Sequence, residues 1–368
     1  MLRKKCVICE AESFTTLFTL NDYPIVSYAA VLDESTDEFS NSILVNCNTC
    51  GTVQIEHLID PVKLYQYSQN STENTPTWKE HHRLFANFVS ERTDTSLLEI
   101  GGNSGCLYRL LKEKISDYTI LDLCDSEERP PTVKFIQANC EEFDLSAHSH
   151  IALSHIFEHL YTPRTFIENL SKAEVQSVFI SIPDMNALSK SRNVALINNA
   201  HTVFIGDREI RYLFSQYGYS CAATTAFRRH SLFYHFIHDK SSIPLPLQIN
   251  MNESSHIKKY LSDFEASIRN MVIDRPSYIC PAGHYGQRIY YYIEKYTNYS
   301  EHILGFIDND HTKQGKRVYG TPAYAYSPDV LTTRGDNKIS IILYAGPYNT
   351  ELKTQLNALH SDIQFLDL

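Results

Sequence analysis

Long apolar runs are missing from this chain of 368 residues, and no stretch approaches the roughly 20 residues that a bilayer-spanning helix requires. The N-terminus, Met1-Leu2-Arg3-Lys4-Lys5-Cys6, carries positive charge with no apolar stretch behind it, so no signal peptide is expected. Basic residues are in deficit: 33 Lys and Arg stand against 43 Asp and Glu, a net charge of −10. Nucleic acid is therefore a poor main partner, because binding phosphate backbones needs an excess of cations. A small nucleotide held by a few backbone amides remains compatible with that balance. Low-complexity tracts and repeats of solenoid period are absent too. The nine cysteines are odd in number and five are scattered through the interior of the chain. They form no disulfide framework, and a reducing cytoplasm fits them better.

What is present is length enough for two or three domains. The pattern divides the chain into blocks at 1–75, 76–240 and 241–368. The first combines cysteine pairs, short strand-like runs and a polar stretch at Ser68–Pro76. The second opens on a helical pattern at Trp78–Val89. It then alternates predicted strands at Ser96–Ile100, Tyr118–Leu123, Val133–Ile136, Ile151–Ser154 and Ser177–Ile182 with helices at Leu107–Lys114, Pro163–Leu170 and Asp207–Tyr217. Strands near Ser220–Phe227 and Leu232–Ile237 close it. Such alternation predicts a doubly wound, Rossmann-like α/β sheet. Ser241-Ser242-Ile243-Pro244-Leu245-Pro246 reads as a linker. The third block predicts a helix at Ile257–Met271, a strand at Tyr278–Ala282, a turn Gly283-His284-Tyr285-Gly286 and a helix at Arg288–Lys295. Strands at Ile303–Ile307 and Ile339–Tyr344 complete a second, smaller Rossmann-like unit.

Two CxxC knuckles, Cys6-Val7-Ile8-Cys9 and Cys47-Asn48-Thr49-Cys50, stand in the first block. Two thiolates separated by two residues grip one face of a tetrahedral Zn²⁺, and a second knuckle closes the other. Neither pair follows a strand and opens a helix, which argues against a redox role. A closed four-sulfur site leaves no position open for chemistry, so the expected zinc is structural.

The strand ending in Glu99-Ile100-Gly101-Gly102, followed by Asn103-Ser104-Gly105 at a helix start, reads as the first β-turn-α of a nucleotide-binding sheet. NAD, FAD and S-adenosylmethionine (SAM) sites all use such a turn. The GxGxxG spacing that seats a pyrophosphate is missing, and SAM has no phosphate to seat. Asp122, ending the second predicted strand, lies at about the roughly 20-residue interval expected for an acid that accepts both ribose hydroxyls. Asn139 is placed to bond the adenine edge, with Phe135 or Phe143 near the ring. His155, Glu158 and His159 follow the fourth predicted strand, at the sheet edge where open α/β folds bind ligands. No Cys ligand adjoins them, so capping and packing are favoured over a metal, and they are expected to line the SAM pocket.

The ordered set "LLEIGGNSG", "HIFEHLYTP", "ISIPD" and "GFIDNDHTKQGKRVYGT", behind the paired CxxC region, resembles the three-domain C-methyltransferases that act on nucleotide-linked deoxysugars. The resemblance spans nearly the whole chain. It implies a class I methyltransferase sheet that binds SAM, with a sugar nucleotide held between the central and flanking domains. The family carries a Tyr-His-Glu-His run after the "PD" strand, its last His serving as base. Here the aligned stretch is Asn198-Asn199-Ala200-His201, so His201 alone matches. Tyr65 or Tyr67, in "LYQYSQNS", resembles the family's substrate-side tyrosine, and Tyr67 is taken with His201 as a catalytic candidate. Methylating carbon beside a ketone requires removal of a C–H proton, which a His near its working pKa can accept.

Other readings stay open at this point. O- or N-methylation of a sugar needs a base and proximity only. Gly283-His284-Tyr285-Gly286 with Asp308 mimics a dinucleotide site, as an NAD-dependent oxidoreductase or epimerase would have, although the GxGxxG triplet is absent. A catalytically inactive binding protein is the third alternative. Which sugar, which nucleotide and which oligomeric state are not readable from the sequence.

Overall fold

The computed structural model describes residues 1–25, 37–65, 76–190, 198–310, 313–318, 321–325, 330–331, 339–346, 349–359 and 363–368. Strands β1 (Phe14–Pro24), β2 (Phe39–Cys47) and β3 (Val53–Ile55) form an antiparallel sheet in that order. The two CxxC turns sit at its end, one ahead of β1 and one between β2 and β3. A short helix α1 (Pro61–Tyr65) and the amphipathic α2 (Pro76–Ser90), which buries His81, Phe85, Ala86, Phe88 and Val89, lead into the second sheet.

That sheet has seven strands: β4 (Ser96–Ile100), β5 (Asp117–Asp122), β6 (Lys134–Gln137), β7 (His150–Ser154), β8 (Ser177–Pro183), β9 (Tyr219–Phe227) and β10 (Ser231–His238). Their spatial order is β6-β5-β4-β7-β8-β10-β9. Every residue of β8 is buried, as a strand covered on both faces requires, whereas β9 at the sheet's edge leaves much of its length exposed. The strands from β6 to β8 are parallel, and β10 runs antiparallel to both of its neighbours. Helices α3 (Cys106–Leu111), α4 (Pro163–Lys172), α5 (Met185–Lys190) and α6 (Asp207–Gln216) complete the winding. The order reverses between β4 and β7, which opens a crevice at their carboxyl ends, the place where open α/β sheets bind ligands. The Gly101–Gly105 loop leaves one of these strands and the His155–His159 segment leaves the other.

After the linker, α7 (Asn252–Arg269) precedes a six-stranded sheet of order β13-β14-β12-β11-β15-β16. Its strands are β11 (Ser277–Cys280), β12 (Ile303–Asp308), β13 (Arg317–Val318), β14 (Thr321–Ala325), β15 (Ser340–Leu343) and β16 (Gln364–Asp367), with helices α8 (His284–Tyr296) and α9 (Asn349–Leu359). Only the β13 pairing is antiparallel among these. A second reversal, on either side of β11, opens a second crevice above Pro281–Gly286.

The expected elements form, with ends moved by a few residues, and two shifts have physical reasons. Helix α8 starts at His284, not Arg288, because Gly286 belongs to its first turn. A Cβ on Gly286 would lie 2.1 Å from the Pro281 carbonyl oxygen, so the glycine serves close packing of helix on strand. Helix α7 starts at Asn252, five residues before the expected Ile257, and buries Ser254 and Ile257 in its first turns.

One core cluster joins all three sheets' surroundings. Leu20, Tyr23, Leu44 and Ile55 of the N-terminal sheet pack with Met185 and Phe204, and with Leu261, Phe264, Ile289 and Tyr292 of α7 and α8. Arg288 is buried there, its guanidinium 4.7 Å above the Tyr23 ring and its Nε donating to the Tyr23 hydroxyl at 3.2 Å. These contacts hold the two crevices facing each other. Among the described residues, no helix is long and apolar enough to cross a membrane.

Candidate active site

The loop after β4 is shaped by close approach. Gly101, at φ 73°, donates its N–H to Leu121 O at 2.8 Å, and a Cβ there would lie 2.1 Å from Ile156 Cδ1. A Cβ on Gly102 would lie 2.7 Å from the Glu99 carboxyl carbon. Glu99 is itself buried and accepts the Tyr118 hydroxyl at 2.7 Å. Asn103, at φ 35°, donates its backbone N–H to Asp122 Oδ2 at 2.9 Å, while Cys124 N–H donates to Oδ1 at 3.2 Å. Burial raises the Asp122 carboxyl pKa from its ordinary value, with the backbone N–H groups of Cys124 and Asn103 opposing the shift, and no described Lys or Arg pairs with it. Asn139 braces its own turn, its Oδ1 accepting Glu141 N–H at 3.1 Å. Glu99, Gly101, Gly102, Asn103, Asp122 and Asn139 line a cavity of about 1820 Å³, and Gly105, at φ 78°, caps α3 behind them. Phe135 and Phe143 are not on that wall. Arg129 covers the Phe135 ring at 4.4 Å and Phe143 lies beside His148, so Leu123, Ala138 and Cys140 take the place expected for those rings.

The segment after β7 turns its polar groups inward. His155 holds a left-handed backbone, φ 55°, with Nε2 2.8 Å from Ser231 Oγ and Nδ1 3.3 Å from Glu158 Oε1. A non-glycine residue in that region is uncommon, and such strain gathers at functional sites. Glu158 and His159 sit in a 3-10 turn, Phe157–His159. Glu158 is fully buried, and burial raises its carboxyl pKa. His159 Nδ1 bonds the Tyr65 hydroxyl at 2.8 Å, and its Nε2 lies 3.9 Å from Glu158 Oε1. Burial lowers His159 to about 4, with Glu158 opposing the shift, and lowers His155 further below the usual histidine range.

His201 enters the same place from a distant part of the chain. Asn198 Oδ1 accepts the backbone N–H groups of Ala200 (2.8 Å) and His201 (3.0 Å), and Asn199 Nδ2 donates to Pro24 O at 3.1 Å. Thr202 N–H donates to the backbone carbonyl of Glu158 at 3.0 Å. Arg3, buried ahead of the first cysteine knuckle, donates to Thr202 O (2.5 Å) and Tyr161 O (3.1 Å). The His159 and His201 rings meet edge to face, centroids 5.0 Å apart. One donor atom from each of Glu158, His159 and His201 lies within 4.8 Å of the other two. The structure therefore gathers His155, Glu158, His159 and His201, and adds Tyr65. Tyr67 lies outside the described residues.

The far wall of the cavity comes from the C-terminal sheet: Gly283, His284 and Tyr285 at the start of α8, Asp308 at the end of β12 with Asn309 after it, and Lys313. Asp308 is buried; its Oδ2 accepts Ala282 N–H and Lys313 Nζ, each at 2.9 Å, and its Oδ1 accepts Asp310 N–H at 2.9 Å. His284 is pushed down to about 3, first by burial and then by His201, Arg288 and Lys313. The acid that a dinucleotide reading reserves for a ribose is here committed to backbone and lysine.

The four knuckle cysteines converge. Cys6 Sγ lies 3.7 Å from Cys50 Sγ, and Cys9 Sγ lies 3.5 Å from Cys47 Sγ. A zinc–sulfur bond of about 2.3 Å sets the edge of a sulfur tetrahedron at about 3.8 Å, so the donor set fits Zn²⁺. Arg208 Nη1 donates to Cys50 O at 2.7 Å and Arg164 to Ile8 O, which tie both knuckles to helices of the central sheet.

Sequence reasoning missed the wall nearest α2. Trp78 stands among His81, His82, His155 and His230, with ring centroids between 4.8 and 5.6 Å, and His81 Nε2 reaches Ser181 Oγ at 2.8 Å. Arg228, Arg229 and His230, in the turn from β9 to β10, line the cavity beside them. The available signal was the single Trp followed by two His on an amphipathic helix just before the glycine loop.

No protein-family model and no curated protein matches the chain. Among solved structures it is similar to Burkholderia thailandensis 1,6-didemethyltoxoflavin-N1-methyltransferase with S-adenosylhomocysteine bound: 12% identity and TM-score 0.39, over 52% of this chain and 97% of that one. The Bradyrhizobium japonicum N-methyltransferase NodS, also with S-adenosylhomocysteine, gives 13% identity and TM-score 0.37 over 46% and 93%. Synechocystis magnesium protoporphyrin IX methyltransferase with SAM bound gives 13% and 0.34 over 48% and 89%. Likeness this distant assigns no activity.

Proposed function

We propose that the chain is a SAM-dependent methyltransferase acting on a nucleotide-linked deoxysugar, with His201 as the base for methylation of carbon beside a ketone. The observation that carries this reading is the continuity of one cavity. It runs from Gly101, Asn103 and Asp122, past His155, Glu158, His159 and His201, to Gly283, His284 and Lys313. The first end suits a nucleoside without phosphate, since its acid lines the cavity with no described Lys or Arg paired to it. The last suits a diphosphate, which a lysine and the start of a helix of 13 residues would hold. The middle offers a proton acceptor. The proposed division into domains at 1–75, 76–240 and 241–368 gives each sheet to one of them, and all three contribute residues to the cavity, Tyr65 from the first among them.

The bound cofactor would supply an electrophilic methyl group. Asp122 would accept the ribose hydroxyls, and Gly101 and Gly102 would let the ligand pass against the backbone. His201 would take the proton from the carbon beside the ketone; the electron pair left behind then forms the new C–CH3 bond as the S–CH3 bond breaks. Burial keeps the neighbouring His155 and His159 neutral, so neither sets a second positive charge beside the base. Cys6, Cys9, Cys47 and Cys50 would hold a structural Zn²⁺ that fixes the segment leading to Arg3 and Thr202. Oxygen methylation of the same class of sugar is a second reading, favoured by the absence of Tyr and Glu from Asn198-Asn199-Ala200-His201.

Calorimetry with SAM and with NAD tests the cofactor: heat with SAM and none with NAD is expected, and the reverse would overturn the proposal. Deuterium exchange at the ring carbon of a keto-sugar nucleotide, followed by NMR, is expected for carbon methylation and excluded for oxygen methylation.

A further inference from the structure

Asn198 and Ala200 stand where the resemblance would place the tyrosine and the carboxylate that orient the base. The structure brings a carboxylate, Glu158, to His201 from elsewhere, and a tyrosine, Tyr65, to the neighbouring His159. Glu158 is wholly buried, and neither of its carboxylate oxygens accepts a hydrogen bond from any described residue. A carboxylate so placed is costly unless something charged arrives beside it. Its surroundings hold one kind of group able to become a cation on demand: His155 Nδ1 at 3.3 Å, His159 Nε2 at 3.9 Å, and His201 with a ring nitrogen within 4.8 Å. Tyr65, from α1, fixes the His159 ring through Nδ1 and leaves its Nε2 on the carboxylate side. His284, on α8, faces His201 from the opposite wall and is held neutral by burial. The backbone clasp of Thr202 on Glu158, and the two bonds from Asn198 to the Ala200 and His201 amides, hold the segments in register.

We infer that Glu158 is the positioning residue for His201: its carboxylate orients the ring and pairs with the imidazolium that forms when His201 takes the substrate proton, while Tyr65 and His159 hold the carboxylate's other side. The inference rests on the proposed proton abstraction. Of the three histidines around the carboxylate, His155 is bonded to Ser231 and His159 to Tyr65 through their other ring nitrogens. His201 has its main chain anchored, and the edge-to-face contact with His159 limits its ring. Asn198 thus acts on the backbone of the base, and Glu158 supplies the charge that the local segment lacks.

The test uses the full chain with zinc and S-adenosylhomocysteine, so that no sugar substrate is needed. The ring of His201 is followed by NMR across pH, assigned through His201→Ala. Glu158→Gln keeps the shape and removes the charge. It is expected to lower the His201 titration midpoint by about one pH unit, because a carboxylate within a few ångströms favours the charged ring. An unchanged midpoint would overturn the inference. If Glu158→Gln does not fold, Glu158→Asp keeps the charge and is expected to hold the midpoint near that of the parent chain; a fall as large as that expected for the amide would sink the proposal. Metal analysis supplies a further arm: one zinc per chain, unaffected by His201→Ala, is expected. A second ion lost in that variant would make Glu158, His159 and His201 metal ligands and overturn the positioning role. Once a methyl acceptor is found, Glu158→Gln should lower kcat about a hundredfold with little change in KM, and move the acid limb of the pH profile to lower pH. Absence of heat with SAM would defeat the methyltransferase reading while leaving the His201 midpoint as an independent answer.

Discussion

The two sheets offer the cavity the same device twice, with different charges on it. In the central sheet β4 ends, the chain turns, and Asn103 N–H reaches Asp122 at the end of the neighbouring β5. In the C-terminal sheet β11 ends, the chain turns, and Ala282 N–H reaches Asp308 at the end of the neighbouring β12, also at 2.9 Å. An acid at a strand end clamps the turn of the next strand in both. Asp122 then lines the cavity with no described Lys or Arg paired to it, whereas Asp308 is neutralised by Lys313. The glycines differ as well: Gly101 is left-handed and crowded, while Gly283 is extended, and among the described residues its Cβ would meet Lys313 Nζ at an ordinary 3.8 Å. Topology decides where a ligand sits, and the local charge and room decide which one.

The largest effect expected from this contrast is on SAM binding. Gly101→Ala places a Cβ 2.1 Å from Ile156 Cδ1 at a φ that costs an L-residue about 1–2 kcal/mol before any clash. Calorimetry should show SAM affinity lowered about a hundredfold, which corresponds to about 2.7 kcal/mol. Gly283→Ala meets no such obstacle and should leave both SAM and nucleotide binding within a factor of about two, since substitutions clear of such features are worth within about 0.5 kcal/mol. Equal losses in the two variants would break the comparison.

A smaller effect is expected at Lys313. With a nucleoside diphosphate as the probe, Lys313→Gln should weaken binding about tenfold, the order of one hydrogen bond to a charged group, and flatten its salt dependence. SAM affinity in the same variant should not move. A change in SAM affinity instead would mean that the anion site lies at the other sheet.

How much of this was legible in the sequence follows from the range of each signal. The β/α alternation, the CxxC pairs, the Gly101–Gly105 turn and Asp122 are local patterns, set by burial period or by spacing within one strand–turn–helix unit. The convergence at His201 is not local. Glu158 is 43 positions away and Tyr65 is 136, and no periodicity links them. The segment 198–201 read as an impoverished base motif, yet Asn198 and Asn199 are buried hydrogen-bonding residues that build its turn. The wall of Trp78, His82 and His230 was missed for the same reason, since α2 and the β9–β10 turn meet only across the fold. Phe135 lies off the cavity wall because alternation along a short strand does not say which sheet face lines the cavity, and Phe143 because the turn after that strand packs it beside His148.

The most modest prediction concerns pH. Asp122 can accept ribose hydroxyls only as the carboxylate, and burial raises its pKa. The protonated form therefore gains population at a higher pH than for an exposed aspartate, and SAM affinity should begin to fall there as the solution is acidified. In folding the sign is opposite: a carboxyl whose pKa is raised in the folded state favours folding at low pH, and that contribution is lost as pH rises through the raised value. Acid should thus weaken SAM binding before it weakens the fold at this position, a separation that calorimetry and thermal melts measured on the same samples would resolve. Asp122→Asn should bind SAM a few-fold more weakly at neutral pH and lose this pH dependence, because the amide has one oxygen to accept with and no proton to gain in this range. Asp308→Asn should leave the SAM pH profile as it is. If both variants altered it alike, the two strand-end acids would be serving one ligand rather than two.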